Sequence, residues 1–236
     1  MKSIPPGERL IFALDVPDAG AARRLVDRLG DSVLFYKLGL ELLMAGGYHE
    51  LMDWLVGKGK RVFADIKFFD IPATVAAAVQ RLNNRGVTFT SVHGNQRIME
   101  AAVTAASDVK ILAVTVLTSL DRGDLDDLGF ACDVEKLVIS RARRALAAGC
   151  AGIVSSGMEA EAIRRELGDR LLIVAPGIRP VENRPEDDQK RVLTIERAFA
   201  AGADYIVVGR PIRDATDPRA AAESIQASIA ACCARA

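Results

Sequence analysis

The chain is expected to fold as a single (β/α)8 barrel, an α/β architecture running through residues 1–236, and three features of the sequence predict it. Short runs rich in Val, Ile and Leu alternate with longer amphipathic stretches from end to end, the pattern of repeated strand–helix units around a parallel sheet. The candidate strands number eight. A length of 236 residues falls within the roughly 200 to 250 that one such barrel fills.

The first candidate strand, residues 10–16, is followed by Asp18, which can cap a helix, and by Gly30, which suits its left-handed end. The second, 33–39, carries Lys37 near its end. The third, 61–67, holds Asp65 and Lys67; beyond it come Asp70, a turn closed by Pro72, and Thr74, which can cap the helix that starts there. Gly86 precedes the fourth, 87–93, which ends in His93, a residue that either points at a site or packs at the strand end. The fifth, 110–117, and the sixth, 152–156, are separated by a helical stretch that Gly149 closes. After the seventh, 171–176, comes the most polar and irregular segment, 180–191 (PVENRPEDDQKR), which reads as a long functional loop. Gly202 introduces the eighth, 205–209. Residues 144–157 and 197–210 are identical at seven of fourteen positions, each reading as helix end, Gly turn and buried strand. No Pro/Gly/Ser linker divides the chain.

Composition narrows the function. Half of the residues are hydrophobic but only 5% are aromatic, so the core is expected to be filled mainly by Val, Ile, Leu and Ala. Lys plus Arg equals Asp plus Glu at 31 each, leaving no net field to draw in nucleic acid or an anionic membrane. The four cysteines, Cys132, Cys150, Cys232 and Cys233, have neither zinc-ligand nor disulfide-framework spacing, and reduced thiols in a cytosol are expected. The first residues lack a signal-peptide core, and no apolar run reaches the roughly 18 residues of a membrane span. A cytoplasmic enzyme of small molecules is the expectation. With only His49 and His93 available, mechanisms built on several imidazoles, whether metal cages or proton relays, have little material, and the chemistry must lean on Lys, Asp and Arg.

In a parallel barrel the site lies at the C-terminal ends of the strands, so charges that interrupt an apolar run near its end are the candidates. Asp15, Lys37, Asp65, Lys67 and Arg210 qualify, although any one of them alone can simply reach solvent. Asp65 and Lys67 are two apart on a strand and leave the same face, within ion-pair reach if that face points inward. Burying such a pair costs several kcal/mol of desolvation, which makes stability a weak explanation for it and function a better one. Asp70 serves either the site or the turn. The seventh and eighth strands end in VAPGIRP and VVGRPI, each with a Gly beside an Arg. Loops after these two strands often hold phosphate in barrels, and Arg179, Gly209 and Arg210 are the phosphate candidates.

The segment 64–75, ADIKFFDIPATV, resembles the signature of orotidine 5'-phosphate decarboxylases of the bacterial type (type 1), and LDV (14–16), YKLG (36–39), VTVLTS (114–119), APGIRP (175–180), DQ (188–189) and VGRPI (208–212) follow in that family's order. The resemblance implies decarboxylation of orotidine 5'-phosphate to UMP and CO2, the last step of pyrimidine synthesis, by a cofactor-free homodimer. It implies that Asp15 binds ribose hydroxyls and that Lys37, Asp65 and Lys67 belong to an alternating charge network. Asp70 would be the network's fourth member, supplied to the neighbouring subunit together with Ile71 and Thr74. Thr118 would contact the ligand from the end of the fifth strand and Pro176 would pack near the pyrimidine, and Arg179, Gln189, Gly209 and Arg210 would grip the phosphate, Gln189 from a mobile loop. Phe69 and Ala73 depart from the His and Asn of many relatives, and VHGNQR after the fourth strand departs from a common Gly pair.

Loss of CO2 from orotate leaves a carbanion with no ring orbital to delocalise into, so the task is to stabilise a charge and then protonate it. An ammonium flanked by carboxylates suits both, which points to Lys67 as counter-charge and proton donor. The nearest rivals share the barrel and the DxK spacing: a Mg-dependent phosphosugar decarboxylase and a hexulose-phosphate aldolase. Those relatives bring a carboxylate to the position of Lys37, where a lysine would repel a cation. A catalytically silent nucleotide-binding barrel and a Schiff-base aldolase are the remaining readings; the latter needs a lysine of lowered basicity, and adjacent aspartates act in the opposite sense.

Overall fold

In the computed structural model, which describes residues 2–179 and 193–234, eight parallel strands close into a barrel in sequence order. They are β1 (Leu10–Ala13), β2 (Phe35–Leu38), β3 (Arg61–Phe68), β4 (Phe89–His93), β5 (Lys110–Val114), β6 (Gly152–Val154), β7 (Leu172–Ala175) and β8 (Tyr205–Val208). Helix α1 (Ala19–Leu29) follows β1, α2 (Leu40–Ala45) and α3 (Tyr48–Gly57) follow β2, and α4 (Pro72–Gln80) and α5 (Gln96–Ala105) follow β3 and β4. After β5 come α6 (Arg122–Asp127) and α7 (Val134–Ala147), after β6 comes α8 (Ala160–Leu167), and α9 (Ile195–Ala200) precedes β8. The chain closes with α10 (Arg210–Arg213) and α11 (Pro218–Ala234).

Local signals explain the boundaries. Asp18 caps α1 by accepting the Ala21 N–H at 2.7 Å, and α1 buries Ala22, Val26 and Leu29, one helical stripe, against the sheet. Gly30, Gly86, Gly149 and Gly202 all have positive φ, as a chain turning from helix into strand requires. The repeat of 144–157 and 197–210 corresponds to the end of α7 with β6 and the end of α9 with β8. Thr74 does not cap α4: Pro72, with its fixed φ, opens the helix after Ile71, so Thr74 already lies inside the first turn.

Most strands end earlier than their apolar runs. β1 stops at Ala13 rather than residue 16, and β5 at Val114 rather than 117. At these C-terminal ends the backbone leaves the ladder and keeps only single bonds, such as Leu14 N to Lys37 O at 3.0 Å and Thr115 N to Val154 O at 3.1 Å. The residues so released form the site.

The core has two layers. One lies between strands and helices; the other fills the barrel itself with Ile11, Phe35, Phe63, Phe89, Leu112, Val174, Tyr205 and neighbours. Val, Ile, Leu and Ala make up most of both layers, as expected, and the inner one adds three Phe and a Tyr. Phe89 sits 5.3 Å from Phe35, 6.1 Å from Phe63 and 5.4 Å from Tyr205, ring centre to ring centre, so four of the chain's twelve aromatic residues meet at the barrel floor.

Candidate active site

Side chains two apart on a strand share a face, so the residues next above the aromatic floor are set by it. Lys37 stands above Phe35, Asp65 above Phe63, and Ser91 above Phe89. Lys37, Asp65 and residues released at the strand ends surround a cavity of about 460 Å³ at the C-terminal mouth of the barrel, with Ser91 buried behind them. Asp15, Lys37, Asp65 and Lys67 line one side, Thr118 and Pro176 another, and Arg179, Gly209 and Arg210 the rim above β7 and β8. Val114, Val116, Leu117, Val154 and Val207 supply an apolar wall.

The four charges form an alternating row. Lys37 Nζ lies 3.1 Å from Asp15 Oδ1 and 3.7 Å from Asp65 Oδ2, and the same Oδ2 takes Lys67 Nζ at 2.8 Å. Asp65 is 7% exposed and Lys37 12%, against 31% for Lys67, so the middle of the row is buried and its Lys67 end faces the cavity. Burial pushes the Asp65 carboxyl up, but the charges of Lys37 and Lys67 and hydrogen bonds from Lys67 and Ser91 outweigh it and hold the group below its ordinary value. Lys37 mirrors this: burial lowers it, Asp65 and Asp15 raise it further, and the net direction is up.

The Asp65–Lys67 pair is not made by regular strand alternation. Ala64 pairs with Thr90 and Phe68 with Val92, so Asp65, Ile66 and Lys67 all stand opposite the single residue Ser91. Lys67 takes φ +55 within this bulge, a left-handed conformation that costs a non-glycine residue about 1–2 kcal/mol. Two hydroxyls of β4 replace the interrupted ladder. Thr90 Oγ1 donates to Ala64 O at 2.9 Å, and Ser91 Oγ accepts from Lys67 N at 2.9 Å while donating to Asp65 Oδ1 at 2.7 Å.

Glycines shape the rim. A Cβ on Gly209 would meet Ala13 Cβ at 3.3 Å, and Gly177, which lines the cavity, has φ +76. Arg213 also lines the cavity, one turn along α10 from Arg210; it donates to the Asp15 carbonyl at 3.0 Å and is clamped by Asp214. Ser155 lines the wall with a buried hydroxyl that has no partner among the described residues. Ser91, Ser155 and Arg213 were not among the sequence candidates. The signal for the first was present, two consecutive hydroxyl residues, Thr90 and Ser91, in an apolar strand.

Other candidates lie elsewhere. Asp70, Ile71 and Thr74 are exposed beyond the end of β3 and do not line this cavity; Asp70 accepts the Ile71 N–H at 2.6 Å and pairs with no cation among the described residues. His93 does not line the cavity either. Its ring packs on Phe69 with centroids 4.6 Å apart, and burial, then Arg141 and Lys67, lower its basicity. Gln189 and the whole loop 180–191 lie outside the described residues. No group of three or more His, Cys, Asp or Glu side chains with metal-ligand placement occurs among the described residues.

Residues 8–225 match the orotidine 5'-phosphate decarboxylase / HUMPS family. The chain is 64% identical over 228 residues to an orotidine 5'-phosphate decarboxylase of Methylococcus capsulatus, covering 97% of this chain and 94% of that one. It is 54% identical to one of Stenotrophomonas maltophilia, covering 94% and 93%. The crystal structure of orotidine 5'-phosphate decarboxylase from Lactobacillus acidophilus superposes with a TM-score of 0.83 at 32% identity, covering 94% of this chain and 99% of that one.

Proposed function

The chain belongs to the orotidine 5'-phosphate decarboxylase / HUMPS family, and from that membership we propose that it converts orotidine 5'-phosphate to UMP and CO2 with its own side chains as the only catalytic groups. The observation that carries this reading is the row Asp15–Lys37–Asp65–Lys67, paired at 3.1, 3.7 and 2.8 Å beneath the cavity mouth.

In this reading Lys67 Nζ stands beside C6 of the pyrimidine. As the C–CO2 bond breaks, its electron pair stays on C6, stabilised by the ammonium, which then transfers a proton to that carbon. Asp65 holds Lys67 in place and faces the departing carboxylate. Asp15 and Lys37 bind the ribose hydroxyls, Thr118 and Pro176 border the base, and Arg179, Gly209 and Arg210 take the phosphate with Gln189. Phosphate binding remote from C6 supplies energy for ordering the site and excluding water.

Asp70, with Ile71 and Thr74, would complete the row in a second copy of the chain. The exposure of these residues supports that reading, as does the apolar character of the surface beside them: Leu40 and Met44 on α2 and Phe69 and Ile71 beyond β3 are 55%, 82%, 64% and 66% exposed on neighbouring connections. No helix among the described residues is long and apolar enough to cross a membrane, and a cytoplasmic location is part of the proposal. The metal-dependent reading is disfavoured by chemistry: Asp15 and Asp65 are already joined to Lys37, whose ammonium would repel a divalent cation placed between them.

The test is the fall in orotate absorbance when orotidine 5'-phosphate is added to chelator-treated protein. Turnover that persists without divalent ions is expected; turnover restored only by adding one overturns the cofactor-free reading.

A further inference from the structure

We propose that Ser91 is a positioning residue for the decarboxylation, its one buried hydroxyl locking the Lys67 backbone and the Asp65 carboxylate into a single arrangement. The inference rests on the Lys67 mechanism proposed above and names the device that holds its two main groups.

Three observations converge on this side chain. Ser91 alone stands opposite the three-residue bulge Asp65–Ile66–Lys67, and its side chain is the acceptor of the Lys67 N–H. Its hydroxyl is fully committed: Oγ accepts the Lys67 N–H at 2.9 Å and donates to Asp65 Oδ1 at 2.7 Å, in a side chain with no solvent exposure. Lys67 is one of two non-glycine residues with positive φ among those described, and such a conformation persists where surrounding bonds over-determine it.

Directionality gives the hydroxyl its effect. A lone pair of the hydroxyl accepts from Lys67 N while its single proton goes to Asp65 Oδ1, and this leaves Oδ2 as the oxygen turned to both lysines, at 2.8 and 3.7 Å. Removing the hydroxyl frees the carboxylate to rotate and orphans the Lys67 N–H, so both ends of the pair lose their fixed geometry. The arginines proposed to bind phosphate, Arg179 after β7 and Arg210 at the start of α10, lie across the barrel and are untouched. The consequence is a loss in kcat with little change in binding, the signature of an interaction realised in the transition state.

Three variants separate hydrogen bonding from packing: Ser91→Ala, Ser91→Cys, which keeps the volume but donates weakly, and Ser91→Thr, which keeps the hydroxyl. Steady-state kinetics with orotidine 5'-phosphate, UMP affinity by titration calorimetry and urea midpoints are measured for each. Ser91→Ala and Ser91→Cys are expected to lose about 10- to 100-fold in kcat, the scale of a small misplacement of a reacting group, while KM and UMP affinity stay within about threefold. Ser91→Thr is expected to recover most of the turnover. A Thr variant destabilised by its extra methyl leaves the decision to the Cys variant. The inference is overturned if Ser91→Ala keeps kcat within about twofold of the wild type, if Ser91→Cys turns over normally, or if kcat and UMP affinity fall by the same factor. Lys67→Ala, run alongside, keeps the two levels apart: an active Lys67→Ala sinks the mechanism, whereas an inactive one beside a fully active Ser91→Ala sinks only the role of Ser91.

Discussion

Replacing Asp65 by Asn removes the charge at the centre of the row while keeping its shape. Lys37 Nζ lies 3.7 Å from Asp65 Oδ2, a separation at which unit charges attract by roughly 4–5 kcal/mol at an effective dielectric of about 20. Lys67 is closer, at 2.8 Å, but 31% exposed, and solvent screening reduces its share to about 1 kcal/mol. Against this stands the several-kcal/mol desolvation of the carboxylate, which the amide relieves, and Asp15 at 3.1 Å continues to hold Lys37. The expected net destabilisation at neutral pH is about 2–3 kcal/mol, or roughly 5–10 °C in Tm for a chain of this size. The pH dependence has a definite sign. A carboxyl held below its ordinary value of 3.8 contributes stability above that pH and loses it as pH falls towards the folded-state value. The gap between wild type and Asp65→Asn in urea denaturation should therefore be constant near neutrality and close below about pH 4. An Asp65→Asn protein as stable as the wild type at pH 7, or a gap that widens in acid, would refute the account of how this row is held.

Three other outcomes are expected. Lys67→Ala should abolish decarboxylation while UMP still binds in titration calorimetry, and substantial turnover would remove Lys67 from its role. Arg210→Ala should weaken UMP by about 3 kcal/mol or more, the worth of charged hydrogen bonds to phosphate, with far less effect on uridine; equal losses for both ligands would exclude a phosphate contact. Tyr36→Phe should raise stability by about 1 kcal/mol in urea, because the Tyr36 hydroxyl is buried without a partner among the described residues; a loss of that size instead would mean that the hydroxyl is satisfied.

Period-two alternation and Gly punctuation made the barrel legible, since each βα unit repeats the same local signals. The strand-end charges were legible for the same reason: Asp15, Lys37, Asp65 and Lys67 interrupt apolar runs, and all four line the cavity. Two things were hidden. A bulge is set by how β3 and β4 pair across the sheet, which no single segment reveals, so Asp65 and Lys67 meet for a reason other than alternation. Ser91 and Arg213 act by holding other residues, and a hydroxyl or guanidinium committed to its neighbours looks in sequence like any other. The aromatic floor was missed because average composition says nothing about where eight Phe and three Tyr collect.

That floor bears on the chemistry. Phe35, Phe63 and Phe89 fill the layer directly beneath Lys37, Asp65 and Ser91 with buried apolar rings. An apolar base lowers the local dielectric, so each ion pair in the row is both costlier to bury and stronger once formed. In the proposed mechanism a carbanion developing above it would meet the field of Lys67. The bulge completes the arrangement. Regular advance along β3 would carry residue 67 about 6–7 Å beyond residue 65, whereas three residues opposite Ser91 fold the chain back and bring the ammonium to 2.8 Å from the carboxylate. Strain at Lys67 is thus the local cost of placing a carboxylate and an acid from one strand at one point in space.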